Sequence, residues 1–188
     1  MWPFTNRTIT IIQRGKPYLK RWYLLPRNKF FNLYLHKFLA SDDDRALHDH
    51  PWWNISIILK GGYIEHLPDH PFGIMRNVGD IVFRRAEQAH RIELHHEGEP
   101  LKVLLTSGGV EPFDVGREYH SLTAQLMEAV EKAKKSGPVI PAWSLFITGP
   151  RIREWGFHCP KGWRSYWHFL GTTPRARLKG DETGPGCD

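Results

Sequence analysis

Along the first hundred residues the apolar positions come in short runs cut by turn formers. Tyr18 to Leu25 is aromatic and aliphatic and ends at Pro26, and Phe31 to Leu39 is a second aromatic-rich stretch that also fits a helical turn. Asn54–Leu59 ends at Gly61-Gly62, Tyr63–Leu67 stops at Pro68-Asp69, and Ile81–Phe83, His90–Leu94 and Leu101–Leu105 follow, each bounded by Gly, Pro or acidic residues. Strands of this length at this spacing predict an all-β sandwich or barrel rather than βαβ units.

The pattern then changes period. From Arg117 to Ser136, Leu122, Leu126, Ala129, Val130 and Ala133 recur at intervals of three and four or fall beside one another, with Glu and Lys between them, until Gly137-Pro138. This predicts one amphipathic helix, residues 117–136, inserted into a β protein and packed on its outside. Ala142–Thr148 returns to strand character. Gly171 to Asp188 holds four Gly and two Pro with little apolar content, which predicts a flexible tail. The reading is a single domain over 1–170 followed by a tail over 171–188.

Composition adjusts this picture little. At 188 residues and 40% hydrophobic, the chain has enough apolar material for a core. No apolar run approaches the ~20 residues of a membrane helix, so no membrane partner is expected. The opening Met1-Trp2-Pro3-Phe4-Thr5 lacks a basic stretch followed by an apolar one, so a secretory signal is not expected there. Cys159 and Cys187 are too few for a disulfide framework, and a cytoplasmic location is the simplest expectation. Seven Lys/Arg against one acid between 151 and 179 account for the whole net charge of +6. That basic stretch interleaves with Trp155, Trp163, Tyr166 and Trp167, but no nucleic-acid module accompanies it, and nucleic acid is not the expected partner.

The candidate chemistry lies in Leu47-His48-Asp49-His50-Pro51. Side chains alternate across a strand, so His48 and His50 point one way and Asp49 the other. Two imidazoles on one face reach a common cation, and His90, ahead of another alternating run, is the candidate third ligand. Three neutral nitrogens suit Fe, Zn, Cu or Ni better than Mg or Ca.

The spacing extends beyond the histidines. Gly61 comes seven residues after Asn54, and Gly79 eleven before His90. With them the segment resembles the cupin superfamily, whose motifs read G-x5-H-x-H-x(3,4)-E-x6-G and G-x5-P-x-G-x2-H-x3-N. His48, His50, Gly61, Gly79 and His90 fall on their places. Asp42 stands where the first Gly belongs, Asn54 where the Glu ligand belongs, and Arg85, Glu87 and Leu94 replace Pro, Gly and Asn. The resemblance implies a jelly-roll barrel, or double-stranded β-helix, with its core motifs over 42–94, and a metal held by His48, His50 and His90 with Asn54 at the fourth position. It also makes a homodimer through edge strands an expectation.

The replaced carboxylate narrows the implied chemistry. Three histidines leave a divalent ion its full charge and open coordination places, as in the thiol-dioxygenase and diketone-cleaving branches of the superfamily. The His-Asp-His sequence is similar to that of cysteine dioxygenases. The resemblance therefore implies Fe(II), with Zn, Ni, Cu and Mn as alternatives, and dioxygenase-type oxidation of a small polar or anionic substrate. A non-catalytic ligand-binding cupin and a sugar isomerase or epimerase are the competing readings. Glu65 and Glu87 are the alternative carboxylates for the fourth position. Arg151 and Arg153 are candidates to grip a substrate anion, and Tyr63 and His158 candidate catalytic groups.

Overall fold

The computed structural model describes residues 7–42, 45–97, 137–171 and 184–188. The chain forms two units, one of residues 1–94 with 141–188 and one of residues 95–140. The helix expected over 117–136 and the strand expected at Leu101–Leu105 lie outside the described residues. In the smaller unit, His96 bridges to Val139, and its Nδ1 donates to the Gly137 carbonyl at 2.7 Å.

The larger unit is built from strands β1 (Thr8–Gln13), β2 (Lys16–Tyr23), β3 (Asn32–Phe38), β4 (Leu47–His48), β5 (Asn54–Lys60), β6 (Tyr63–Leu67), β7 (His70–Arg76), β8 (Ile81–Arg84), β9 (Arg91–Leu94), β10 (Ala142–Thr148), β11 (Gly156–Cys159) and β12 (Gly162–Ser165), with one helical turn α1 (Tyr166–Phe169). One sheet runs β1-β2-β3-β10-β5-β8. The sets β12-β11-β4 and β7-β6-β9 are joined through the His48–His90 bridge, where each residue's N–H donates to the other's carbonyl at 2.9 Å. Every described pairing is antiparallel. The result is two facing sheets, the jelly-roll arrangement expected from the sequence.

Alternation decides what lies between them. Tyr34, His36 and Phe38 of β3, Asn54, Ser56 and Ile58 of β5, and Ala142, Ser144, Phe146 and Thr148 of β10 are the buried members of their strands. The inner faces meet where the Phe38 ring lies 6.3 Å from that of Tyr63. This interior is unusually polar for a barrel, because Asn54, Ser56, Glu65, Arg84, Ser144 and Thr148 share it with the aromatics.

Two motif glycines have a physical reason. Gly61 has φ +79°, and a Cβ there would lie 2.6 Å from the Pro141 carbonyl oxygen, so the turn between β5 and β6 closes only with glycine. Gly79, φ +96°, turns the chain from β7 into β8.

The segment 149–163, whose turn formers suggest a loop, contains β11 and the first residues of β12, the two strands of one hairpin. Phe157 stacks on Phe169 at 3.7 Å between ring centroids, and Tyr166 on Trp155 at 4.8 Å. The two cysteines are joined in a Cys159–Cys187 disulfide, which fastens residue 187 to β11. The Gly186 N–H donates to the Phe169 carbonyl at 3.0 Å, and Arg45 Nη1 to the Gly184 carbonyl at 2.9 Å.

Candidate metal centre

His48 and His50 lie on an extended stretch whose backbone bonds alternate sides. His48 pairs with His90, the Asp49 N–H donates to the Gly156 carbonyl, and the His50 N–H to the Ala86 carbonyl, each at 2.9 Å. The two imidazoles therefore turn to the same interior, as the parity of the sequence predicts, and Asp49 turns away. His90, immediately ahead of β9, shares the inward parity of Ile92 and Leu94.

The three rings gather closely. Their centroids are 5.1 Å apart for His48 and His50, 4.8 Å for His48 and His90, and 5.1 Å for His50 and His90. One ligand nitrogen from each lies within 4.8 Å of the others. The Nε2 atoms of His50 and His90 are 2.9 Å apart. Two imidazole nitrogens ~2.1 Å from one ion are ~3.0 Å apart at a right angle and ~3.4 Å at a tetrahedral angle. The His50–His90 spacing thus fits an edge of a coordination polyhedron.

The protonation state fits as well. Burial, with the neighbouring His90 and His48, holds His50 well below the usual imidazole pKa. Burial and the Arg84 charge lower His90 to about 4, against the opposing pull of Glu65. Both rings are neutral donors near neutral pH, the form a metal requires.

Glu65 sets which nitrogen of His90 faces the cavity. Its Oε1 lies 3.0 Å from His90 Nδ1. An ionised carboxylate only accepts, so Nδ1 carries the proton and Nε2 presents its lone pair to the shared centre. Arg84 Nε donates to the same Oε1, and Arg76 Nε donates to Oε2 at 2.7 Å. Burial raises the Glu65 pKa, but the His90 hydrogen bond and the Arg84 charge outweigh it and hold the carboxyl well below its usual range. Glu65 is therefore a fixed anion behind His90. Glu87, the other carboxylate weighed for the fourth position, is exposed.

The remaining expected site residues fall in three places. Asn54 is fully buried; its Oδ1 accepts from Arg84 Nη1 at 3.4 Å, and its Nδ2 has no partner among the described residues. Tyr63 is buried beside the same arginine, whose Nη2 donates to its hydroxyl at 3.4 Å. Arg153 and His158 gather instead on Asp49, on the other side of the His-x-His strand. Arg153 Nη1 (2.8 Å), Trp163 Nε1 (2.9 Å) and His158 Nε2 (3.1 Å) donate to Asp49 Oδ2, and the Gly156 N–H to Oδ1 at 2.7 Å. Asp49, fully buried, anchors β11–β12. Arg151 is exposed, and its Nε donates to the Arg153 carbonyl at 3.4 Å. Sequence reasoning missed Arg84 and Asp42, whose roles depend on cross-strand register. Asp42 lies 3.8 Å from His48 Nδ1 and accepts from the Ile92 N–H at 2.6 Å and from the Tyr18 hydroxyl.

Two six-stranded faces in jelly-roll order, with the histidines of both motifs meeting at the His48–His90 bridge, decide the architecture. The fold is that of the cupins. No protein-family model matches the sequence, and no curated protein matches it significantly. Solved structures similar to this chain share little sequence with it. The polyketide cyclase RemF from Streptomyces resistomycificus is 14% identical with a TM-score of 0.48, over 88% of this chain and 84% of its own. The Fe(II) form of HppE is 12% identical with a TM-score of 0.45, over 79% of this chain, which spans 58% of HppE. An uncharacterised Klebsiella pneumoniae protein with a double-stranded β-helix domain is 13% identical with a TM-score of 0.40, over 84% of this chain and 89% of its own. Among the described residues, no helix is long and apolar enough to cross a membrane.

Proposed function

We propose that this chain is a metal-dependent cupin holding one divalent transition-metal ion on His48, His50 and His90, and that it is an iron-dependent, dioxygenase-type oxidoreductase acting on a small polar or anionic molecule. The observation that carries the reading is the meeting of three imidazoles, with the His90 ring held in the metal-binding tautomer by a buried carboxylate. Iron bound there would supply open coordination places and redox chemistry with O2.

The chain's own residues favour that class over isomerisation. An isomerase or epimerase needs a base in the cavity. Glu65 is locked as an anion by three donors, Tyr63 shares its hydroxyl with Arg84, and His158 is bound to Asp49. Glu65 and Tyr63 are thus already engaged by Arg84, and His158 lies on the other side of the His-x-His strand from the three imidazoles. With no carboxylate among the three ligands, an ion keeps its full charge, which draws an anionic substrate.

Elemental analysis of protein purified without added metal, beside a His48→Ala variant, tests the site. One equivalent of transition metal in the wild type and its loss in the variant are expected. Oxygen uptake by iron-reconstituted protein across thiols, diketones and amino acids tests the reaction. Turnover supported equally by redox-inert zinc would move the assignment to a non-oxidative cupin.

A further inference from the structure

Residues 184–188 are pinned against the strand that backs His48. Cys187 is bonded to Cys159 of β11. The Gly186 N–H donates to the Phe169 carbonyl at 3.0 Å, Arg45 Nη1 to the Gly184 carbonyl at 2.9 Å, and Arg164 Nη1 to the Asp188 carbonyl. The seat is tight: a Cβ at Gly184 would lie 2.0 Å from the Leu170 carbonyl carbon, a distance no side chain tolerates.

What this segment touches leads directly to the histidine cluster. Phe169 is fully buried, carries the Arg45 guanidinium 4.6 Å from its ring centroid, and stacks on Phe157. Phe157 is the residue of β11 paired with His48, and its ring lies 6.1 Å from that imidazole. The next step of the pairing is reciprocal: the Asp49 N–H donates to the Gly156 carbonyl, and the Gly156 N–H to Asp49 Oδ1. Arg45 stands three residues before His48 and Cys159 two after Phe157. The segment therefore holds both sides of the β4–β11 pairing, one through a guanidinium and the other through a covalent bond.

The covalent bond decides whether the segment stays. Three hydrogen bonds to carbonyls do not offset the entropy of ordering residues 184–188, two of which are glycine. The disulfide spans 28 residues and supplies the missing constraint. Both cysteines are half-buried rather than sealed, which leaves the bond open to an attacking thiolate.

We infer that the Cys159–Cys187 bond is a reversible redox switch: closed, it seats residues 184–188 and holds β11 on the His-x-His strand; opened by a dithiol, it releases them and slackens His48. In the opening step a thiolate of the dithiol attacks one protein sulfur and expels the other as a thiolate. The second thiol of the reductant then displaces the first protein sulfur. The dithiol gives up two electrons and two protons to become a disulfide, and Cys159 and Cys187 gain them as two thiols. The switch stands on its own contacts, whereas its consequence for a bound ion rests on the metal-centre reading above. That coupling is reciprocal, so an ion on the histidines makes the bond harder to open by the factor by which opening weakens the ion.

The test is amide hydrogen exchange of full-length, metal-free protein, oxidised and after treatment with dithiothreitol. Opening the bond is expected to speed exchange in residues 45–48 and 156–159 by about tenfold or more and to leave β6–β7 within about twofold. The double variant Cys159→Ser/Cys187→Ser is expected to match the reduced protein and to ignore dithiothreitol. Gly184→Ala, which keeps both cysteines, is expected to loosen the same residues while oxidised. Circular dichroism checks that each variant is folded. Cobalt(II) competition against a chelator, with no reductant present, reads the ion, whose affinity is expected to fall about tenfold in the double cysteine variant. A protein whose exchange at 45–48 responds to the bond but which takes up no cobalt in either form would keep the switch and lose the metal reading. Faster exchange confined to 184–188, an equal rise in every strand, cobalt bound equally tightly in both forms, or a bond that oxidised glutathione fails to re-form each overturns the inference.

Discussion

The most exacting perturbation of this structure is Glu65→Gln. The substitution keeps the shape and one acceptor but removes the charge that faces Arg84, Arg76 and His90. Arg84 and Glu65 have side-chain exposures of 1% each, so water screens neither, whereas Arg76 is 21% exposed and re-solvates. The effect is thus that of a single buried guanidinium left without its counter-ion, which costs about 3–5 kcal/mol. Set against a typical total of roughly 5–15 kcal/mol, this is a large fraction of the stability of the fold. The metal should respond separately, since loss of the outer carboxylate on a ligating histidine weakens affinity about 10- to 100-fold. Urea denaturation of metal-free protein reads the first number, and competition against a chelator of known affinity the second. The double variant Glu65→Leu/Arg84→Met, which removes both charges, is expected to be more stable than Glu65→Gln. A Glu65→Gln protein within ~1 kcal/mol of wild type, with unchanged metal affinity, would refute the picture of a buried carboxylate hub.

Acid should destabilise the metal-free protein before its carboxylates titrate. The pKa of His90 is depressed to about 4, so below ~6.5 the unfolded chain takes up a proton that the folded one refuses, and stability falls between those values by about 3 kcal/mol for this residue alone; His50 and His36 act in the same direction, and an unfolding free energy flat from pH 7 to 4 would exclude the effect. Asp49→Asn should cost about 2–4 kcal/mol and speed amide exchange in residues 156–165 well beyond that in β6–β7, because Arg153, His158, Trp163 and the Gly156 N–H all converge on that carboxylate. Cys159→Ser should lower stability by about 3–4 kcal/mol, the loop-closure value for a separation of 28 residues, and should abolish any response of the unfolding midpoint to reductant.

The parts of this fold legible in the sequence were those with a local signature. Short apolar runs cut by turn formers marked β5, β6, β8, β9 and β10, and the glycines that close the β5–β6 and β7–β8 turns marked the two motifs. The His-x-His parity foretold which side chains meet. What escaped had no such mark. β1 exposes most of its residues, and Arg14-Gly15, both at positive φ, form a hairpin turn without the usual Asn-Gly signal. β11 and β12 are four-residue strands rich in turn formers. Their place depends on Asp49, which reads as the idle member between two histidines. The disulfide also went unforeseen, since two distant cysteines reveal nothing of their geometry. Such a bond persists in an oxidising compartment more readily than in the reducing one the cysteine count suggested.

The short stretch around residues 47–50 uses both of its sides. A deletion or insertion of one residue just upstream would rotate the whole stretch by half a turn, sending a carboxylate where imidazoles are wanted and imidazoles where Arg153 and Trp163 expect an anion. Such a frameshift in space would lose the histidine cluster and the hairpin anchor together. Length changes in this connection should therefore be rarer among functional variants than replacements of any single side chain it carries.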